Sequence, residues 1–255
     1  MDLTLDSYTD ALEYLCRPLQ QGSPPDLLPL RALLARLGHP EHAVLSVRVV
    51  GSRGKSTTAM LLGSALQAAG YRVGLFTGPH LHSLRERLRI NGEMISQQAF
   101  LNQVRALAPA VETGPGPFTT YELLAALAFR WFVEEYVDIV VLEARLGGRN
   151  DATNEAFSNT ALLTPIELEH QGRLGYTLSE IAAHKASVIG VRDLIVSAPQ
   201  PRAAQSVIAS IAAENQAQLI YLTEVATWQE HIQRNGIHLS RYEVMYCGDT
   251  TSGHT

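Results

Sequence analysis

Apolar residues fall at helical spacing over residues 7–19 and again over 27–37, where Leu27, Leu28, Leu30, Leu33, Leu34 and Leu37 recur. Gly22-Ser23-Pro24-Pro25 separates the two stretches, and Gly38-His39-Pro40 stops the second. The pattern then alternates: a strand over 44–50, a helix over Thr57–Ala69 ended by Gly70, and a strand over Val73–Thr77. A helix is predicted from about Ser96, which suits an N-cap, to Ala108, and another over roughly Thr120–Glu135. Val137-Asp138-Ile139-Val140-Val141-Leu142 is a continuous apolar run with one acid inside, as in a strand buried on both faces. A strand at Ala161–Ile166, a helix at Leu178–Ile189, a strand at Leu194–Ser197, a helix at Arg202–Ala217 and a strand at Gln218–Leu222 continue the series. From Trp228 to Thr255 the periodicity is weak, and no final packed element is expected there.

Strands alternating with helices predict an α/β fold, a largely parallel sheet flanked by helices. Ligands in such sheets bind beyond the carboxyl ends of the strands, and Gly51, Thr77 and Glu143 all stand at strand ends. The 255 residues, 46% of them hydrophobic, can bury the core of one large or two small domains. A net charge of −5 with no basic run argues against a nucleic-acid or membrane-surface binder. Cys16 and Cys247 are too few for a disulfide framework and fit free thiols in a reducing compartment. The acidic start of the chain, and the lack of any run near ~18 apolar residues, lead to the expectation of a cytoplasmic protein.

Chemistry concentrates after the first strand, in Gly51-Ser52-Arg53-Gly54-Lys55-Ser56-Thr57. Phosphate needs donors around it, and glycines let a loop turn its N–H groups inward at the start of a helix. Lys55 adds a point charge for the outer phosphates, and the hydroxyl of Ser56 or Thr57 can reach a magnesium ion. Two residues separate the glycines where the common P-loop has four, and Val49 stands where that loop begins. A glycine turn carrying a surface lysine has the same composition. Glu143 at a strand tip is either a magnesium ligand or a solvated acid. His170 follows Glu167 and Glu169, Lys185 lies within a helix, and Leu146–Asn154 is a glycine-hinged polar loop; each also has an ordinary structural reading.

Taken together these segments resemble the folylpolyglutamate synthase/dihydrofolate synthase family of the Mur ligase superfamily. The carriers are the 51–57 loop, Gly74–Leu81, Arg85–Glu93, Phe118–Glu122, Leu142–Asn154, His170 and Leu178–Ala186. Order and spacing agree across most of residues 7–222. The resemblance implies a P-loop NTPase-like Mur ligase central domain over 1–222, with an N-terminal helical segment at 7–40. Residues 223–255 would be an incomplete tail leading to an absent C-terminal domain, so the chain would be a fragment or one half of a split ligase.

It also implies an ATP-dependent ligase in which a pteroate or folate carboxylate is phosphorylated to an acyl phosphate and attacked by the amine of L-glutamate. By the same resemblance, Gly51, Ser52, Arg53, Gly54, Lys55, Ser56 and Thr57 bind ATP, and Glu143, His170 and Ser56 hold magnesium. Lys185 is a lysine the family carbamylates, and Lys55, Lys185 and His170 form the catalytic set. Thr119, Thr120, Tyr121, Glu122, Asn150, Asp151 and Ala152 line the pterin–carboxylate site.

The chain departs from the family at several positions. Gly78 stands where a metal-binding serine is usual, Arg53 where asparagine is usual, Arg145 where glycine is usual, and Glu169 where aspartate is usual. These departures keep two alternatives in view. One is a non-catalytic, decayed nucleotide-binding protein. The other is a ligase acting on another carboxylate such as poly-γ-glutamate, since Arg53–Thr57 also resembles the loop of poly-γ-glutamate synthases.

Overall fold

The structure, a computed structural model, describes residues 5–17, 27–234 and 238–246. The Gly22–Pro25 breaker, Cys247 and the last residues of the tail lie outside the described part. Helix α1 (Tyr8–Cys16) opens on a reciprocal cap: Asp10 N donates to Ser7 Oγ and Ser7 N donates to the Asp10 carboxylate. Helix α2 (Leu28–Arg36) carries Pro29 in its first turn, where an N–H has no intrahelical acceptor to lose. The chain continues through β1 (Leu45–Val50), α3 (Lys55–Ala68), β2 (Val73–Phe76), β3 (Leu88–Ile90), β4 (Glu93–Met94), α4 (Gln97–Glu112) and α5 (Thr120–Glu134). It goes on through β5 (Ile139–Glu143), β6 (Thr160–Leu163), α6 (Gln171–Leu174), α7 (Leu178–Ala186), β7 (Leu194–Ser197), α8 (Arg202–Glu214) and β8 (Gln218–Tyr221).

Among the described residues, eight strands make one sheet in the order β4-β3-β2-β5-β1-β6-β7-β8. β2, β5, β1, β6, β7 and β8 are parallel, so their carboxyl ends share one edge; β3 and β4 run antiparallel beside β2. The register sets Val49 beside Glu143, and Phe76 beside Leu142. Alternate side chains serve opposite faces, as the pleat requires. Val140 and Leu142 join the core under α4 and α5, whereas Val141 joins Val49 and Leu75 under α3. On the first of these faces, Ala161, Leu163 and Ile195 pack with Ile181 of α7 and Ile208 of α8. Tyr14, Leu15, Leu30, Leu33 and Leu34 belong to the same core as Phe100 and Phe132, so the N-terminal helices are built into the sheet domain.

The structure departs from the periodicity reading at element ends. Helix α3 starts at Lys55 because Gly54, at φ 77°, supplies the left-handed turn into it. β5 starts at Ile139, since Tyr136 is at φ 53° and Val137 N still bonds to Phe132 O, closing α5. β6 stops at Leu163, ahead of Thr164-Pro165. The β3–β4 hairpin is an addition, and it turns at Asn91 (φ 49°) and Gly92 (φ 84°). Beyond β8, in the region of weak periodicity, α9 (Leu222–Val225) leads into an antiparallel pair, β9 (Ala226–Arg234) and β10 (His238–Tyr246), which forms a two-stranded sheet of its own. No helix among the described residues is long and apolar enough to cross a membrane.

Phe132 is fully buried, and a Cβ at Gly74 would meet its ring at 2.9 Å, so α5 sits directly on the backbone of β2. Phe132→Ala is expected to remove about 3–5 kcal/mol of stability, read as a lower urea midpoint with an unchanged slope.

Candidate active site

Gly51 leaves β1 against the Thr164 backbone. A Cβ there would lie 2.0 Å from Thr164 Oγ1 and 2.8 Å from its carbonyl oxygen, so only glycine fits. Ser52 N and Arg53 N both donate to Pro165 O, at 3.0 and 3.4 Å, and Glu167 N donates to Ser52 Oγ at 3.0 Å. These bonds pin the loop to the chain beyond β6. Helix α3 has no side-chain cap, and its first N–H groups, with the positive end of its dipole, suit an anion. Lys55 folds over the loop, its Nζ donating to Gly51 O at 3.0 Å and Ser52 O at 3.2 Å.

β5 brings Glu143 to the same place. Its carboxylate accepts from Ser56 Oγ at 2.8 Å and from Gly78 N at 3.0 Å. Burial raises its pKa, opposed by the Gly78 N–H, the Ser56 hydroxyl and the charges of Lys55 and Arg87. Carboxylate and hydroxyl oxygens are the hard donors that magnesium prefers, so Glu143 and Ser56 fit that ion. Gly78 offers no side-chain oxygen, and its missing side chain leaves room for Arg87: a Cβ at Gly78 would lie 2.5 Å from Arg87 Nη1. The guanidinium is steadied by Nε donating to His80 Nδ1 at 2.9 Å, and burial lowers its pKa.

These groups surround a cavity of about 400 Å³ lined by Ser52, Gly54, Lys55, Ser56, Thr57, Gly78, Arg87, Tyr121, Glu143 and Arg145, among others. Gly51 shapes the loop without lining the cavity. Arg53 does not line it either; its exposed side chain pairs with Glu167 at 2.6 Å.

Tyr121 and Arg145 also line a smaller cleft of about 40 Å³ with Thr119, Glu122, Asn150, Asp151 and Ala152. The Arg145 guanidinium stands 5.6 Å from the centre of the Tyr121 ring. The Tyr121 hydroxyl lies 3.4 Å from both Glu143 O and Asp151 Oδ1, and desolvation pushes its pKa well above the ordinary value. Several residues here have structural duties. Thr119 and Glu122 cap α5 reciprocally, and the Asp151 carboxylate accepts from the N–H groups of Leu146, Gly147 and Thr153 and from Thr153 Oγ1. Thr120 stands outside the cleft, donating to Leu15 O at 3.0 Å.

No protein-family model matches the sequence. The chain is 39% identical over 205 residues to the dihydrofolate synthase/folylpolyglutamate synthase of Bacillus subtilis, covering 78% of this chain and 48% of that one. It superposes on the apo form of L. casei FPGS with a TM-score of 0.85 at 28% identity, over 89% of this chain and 57% of the other. An FPGS–AMPPCP–folate complex gives the same score, identity and coverage. The chain belongs to the folylpolyglutamate synthase/dihydrofolate synthase family. Its fold is of the Mur ligase type, and it spans about half the length of these relatives.

In this family member Lys185 is buried beneath the 51–57 loop. Its Nζ donates to Gly51 O at 2.9 Å and Leu146 O at 3.1 Å, and lies 2.7 Å from Glu169 Oε1. Burial lowers the Lys185 pKa, against the pull of Glu169. Burial works to raise that of Glu169, but Lys185 and Ser52 outweigh it, and the net shift is downward. His170, in the left-handed region at φ 45°, is half exposed, stands 3.9 Å from Glu169, and does not line the cavity with Glu143. Arg87 and Arg145 are site residues that sequence reasoning did not select. Arg87 lies in the Arg85–Glu93 segment, and the glycine at position 78 leaves the space that its guanidinium fills.

Glu169→Gln leaves the buried ammonium without its carboxylate, and should cost about 1–3 kcal/mol at neutral pH. Because the folded-state pKa of Glu169 is depressed below 4.5, the wild-type advantage is full above that value and disappears as pH falls through the depressed one. Urea melts of both proteins across this range measure it.

Proposed function

We propose that the larger cavity binds ATP with magnesium, and that the chain is the ATP-binding part of a ligase adding L-glutamate to a folate or dihydropteroate. The observation that carries this reading is the charge arrangement. Lys55, Arg87 and Arg145 surround one buried carboxylate, Glu143, at the N-terminus of α3. Three cations facing a helix N-terminus suit a polyphosphate, and a single carboxylate beside a serine hydroxyl suits its cation.

In this reading Ser52, Gly54, Lys55, Ser56 and Thr57 hold the phosphates, and Lys55 turns from its own loop carbonyls to the outer phosphate oxygens. Glu143 and Ser56 hold magnesium, which when bound neutralises phosphate charge. The cleft of Thr119, Tyr121, Glu122, Asn150, Asp151 and Ala152 receives the acceptor, whose carboxylate meets the terminal phosphate at the Tyr121–Arg145 boundary. A carboxylate is a poor electrophile. Transfer of the phosphoryl group to it gives an acyl phosphate with a good leaving group, the glutamate amine attacks the carbonyl carbon, and amide, phosphate and ADP result. The protein's contribution is positioning and charge neutralisation. The relative solved with AMPPCP and folate supports both ligands.

Lys185 and His170 complete the proposed catalytic set. Addition of carbon dioxide to the Lys185 amine, with loss of a proton, gives a carbamate and requires the neutral amine, which burial favours and Glu169 opposes. Because the relatives are about twice as long, we assign glutamate capture to a further domain or a separate subunit.

Lys55→Ala should weaken magnesium-ATP binding at least ~100-fold, about 3 kcal/mol, in calorimetric titration. Full affinity in the folded variant would remove the phosphate-loop assignment. In an amide-formation assay with dihydropteroate or tetrahydrofolate, ATP and glutamate, these 255 residues alone should give no product. Robust turnover by them would show that no second domain is needed.

A further inference from the structure

At the opposite end of β1 from the phosphate loop, the chain enters the sheet through a 3-10 turn, Pro40–His42, preceded by His39. We propose that His39, Glu41 and His42 form a binding site for a divalent transition-metal ion of the zinc class. His39 takes the left-handed conformation (φ 56°, ψ 54°), and His42 follows three residues later, the spacing at which side chains eclipse in a 3-10 turn. The two imidazoles stack, with ring centroids 5.5 Å apart and planes 3° from parallel. Glu41 reaches both: its Oε1 is 2.9 Å from His39 Nδ1 and 3.7 Å from His42 Nε2. One ligand atom from each residue lies within 4.8 Å of the other two, the one such group of three among the described residues. A tetrahedral ion with bonds of about 2.0–2.1 Å needs neighbouring ligand atoms about 3.3 Å apart, which the two measured separations bracket.

The state of Glu41 is the second, independent pointer. Its side chain is only 4% exposed, and its other oxygen, Oε2, is buried without a hydrogen-bond partner. Among the described residues its ion-pair partners are these two histidines, which carry charge only when protonated. A buried carboxylate lacking a fixed cation is costly, and a bound dication removes that cost. The frame is already rigid: His39 N donates to Leu34 O, Ala43 N to Pro40 O, and Phe157 N to Glu41 O at 3.0 Å. The imidazoles are 55% and 60% exposed, which leaves the outer coordination positions to water.

Two imidazoles and one carboxylate favour zinc, nickel or copper over magnesium, which prefers oxygen. The six residues of β1, about 20 Å of extended chain, separate this site from the nucleotide cavity. Its ion therefore fastens the junction between α2 and β1 and takes no part in the proposed ligase chemistry. Bound there, the ion takes the place of the hydrogen bond between His39 Nδ1 and Glu41 Oε1.

The test uses the full chain stripped with EDTA, freed of chelator, and held in excess magnesium so that oxygen sites are filled. Zinc is added in a calorimeter, and cobalt(II) is followed by visible absorption. One equivalent of zinc should bind, cobalt should give the d–d bands of a four- or five-coordinate ion, and zinc should raise Tm reversibly with EDTA. The His39→Ala/His42→Ala double variant should bind zinc at least ~100-fold more weakly while keeping wild-type ATP affinity. Glu41→Gln, which removes the buried charge, should melt no lower than wild type without metal and below it with zinc. Wild type that takes up no zinc overturns the proposal, and so does zinc binding that survives in the double variant. Single His42→Ala, truncating one exposed ring, gives the same reading with less disturbance of the turn.

Discussion

The ammonium of Lys185 is the point at which the candidate site is tied together. One buried nitrogen contacts the carbonyl of Gly51 that opens the 51–57 loop, the carbonyl that opens the Leu146–Asn154 loop, and the carboxylate of Glu169. These three segments follow β1, β5 and β6, so a single charge on α7 fixes their relative positions. A buried ammonium must have its protons accepted and its charge answered, and the convergence of these three loops provides that. The parallel register of β5, β1 and β6 brings the loop origins close enough for one side chain to span them.

Around that anchor the polar groups divide between holding the loops and facing the cavity. Asp151, Thr119, Glu122 and Ser52 are largely engaged with backbone N–H groups, and they fix shape. Lys55, Arg87, Arg145 and Glu143 line the open volume and set its charge. Gly78 belongs to both sets. Its N–H orients Glu143, and its lack of a side chain lets the Arg87 guanidinium approach. Where the family resemblance implies a serine oxygen, this chain places a cation, so the charge balance at that end of the cavity is shifted towards positive.

Local signals in the sequence translated well. The Ser96 cap, the strand Leu194–Ser197 and the strand–loop–helix unit at 45–68 follow from spacing and capping chemistry, which act over a few residues. The β3–β4 hairpin turns at Asn91-Gly92, and its strands are too short to show a period. What spacing could not convey is convergence. Arg87 becomes a cavity residue through contact with Gly78, and Arg145 through its place over Tyr121. The paired strands after residue 225 escaped notice because their pattern of polar and apolar positions is weak.

The outermost strand of the sheet has a further consequence. β4 contains two residues, Glu93 and Met94, both exposed, and it follows a tight turn from β3. A free sheet edge invites pairing with any extended chain, but two residues offer almost no ladder, and a carboxylate on the rim resists apolar neighbours. The hairpin therefore works as a hem. It ends the sheet beside β2, whose carboxyl end leads to Gly78, and protects that edge from strand addition by other chains.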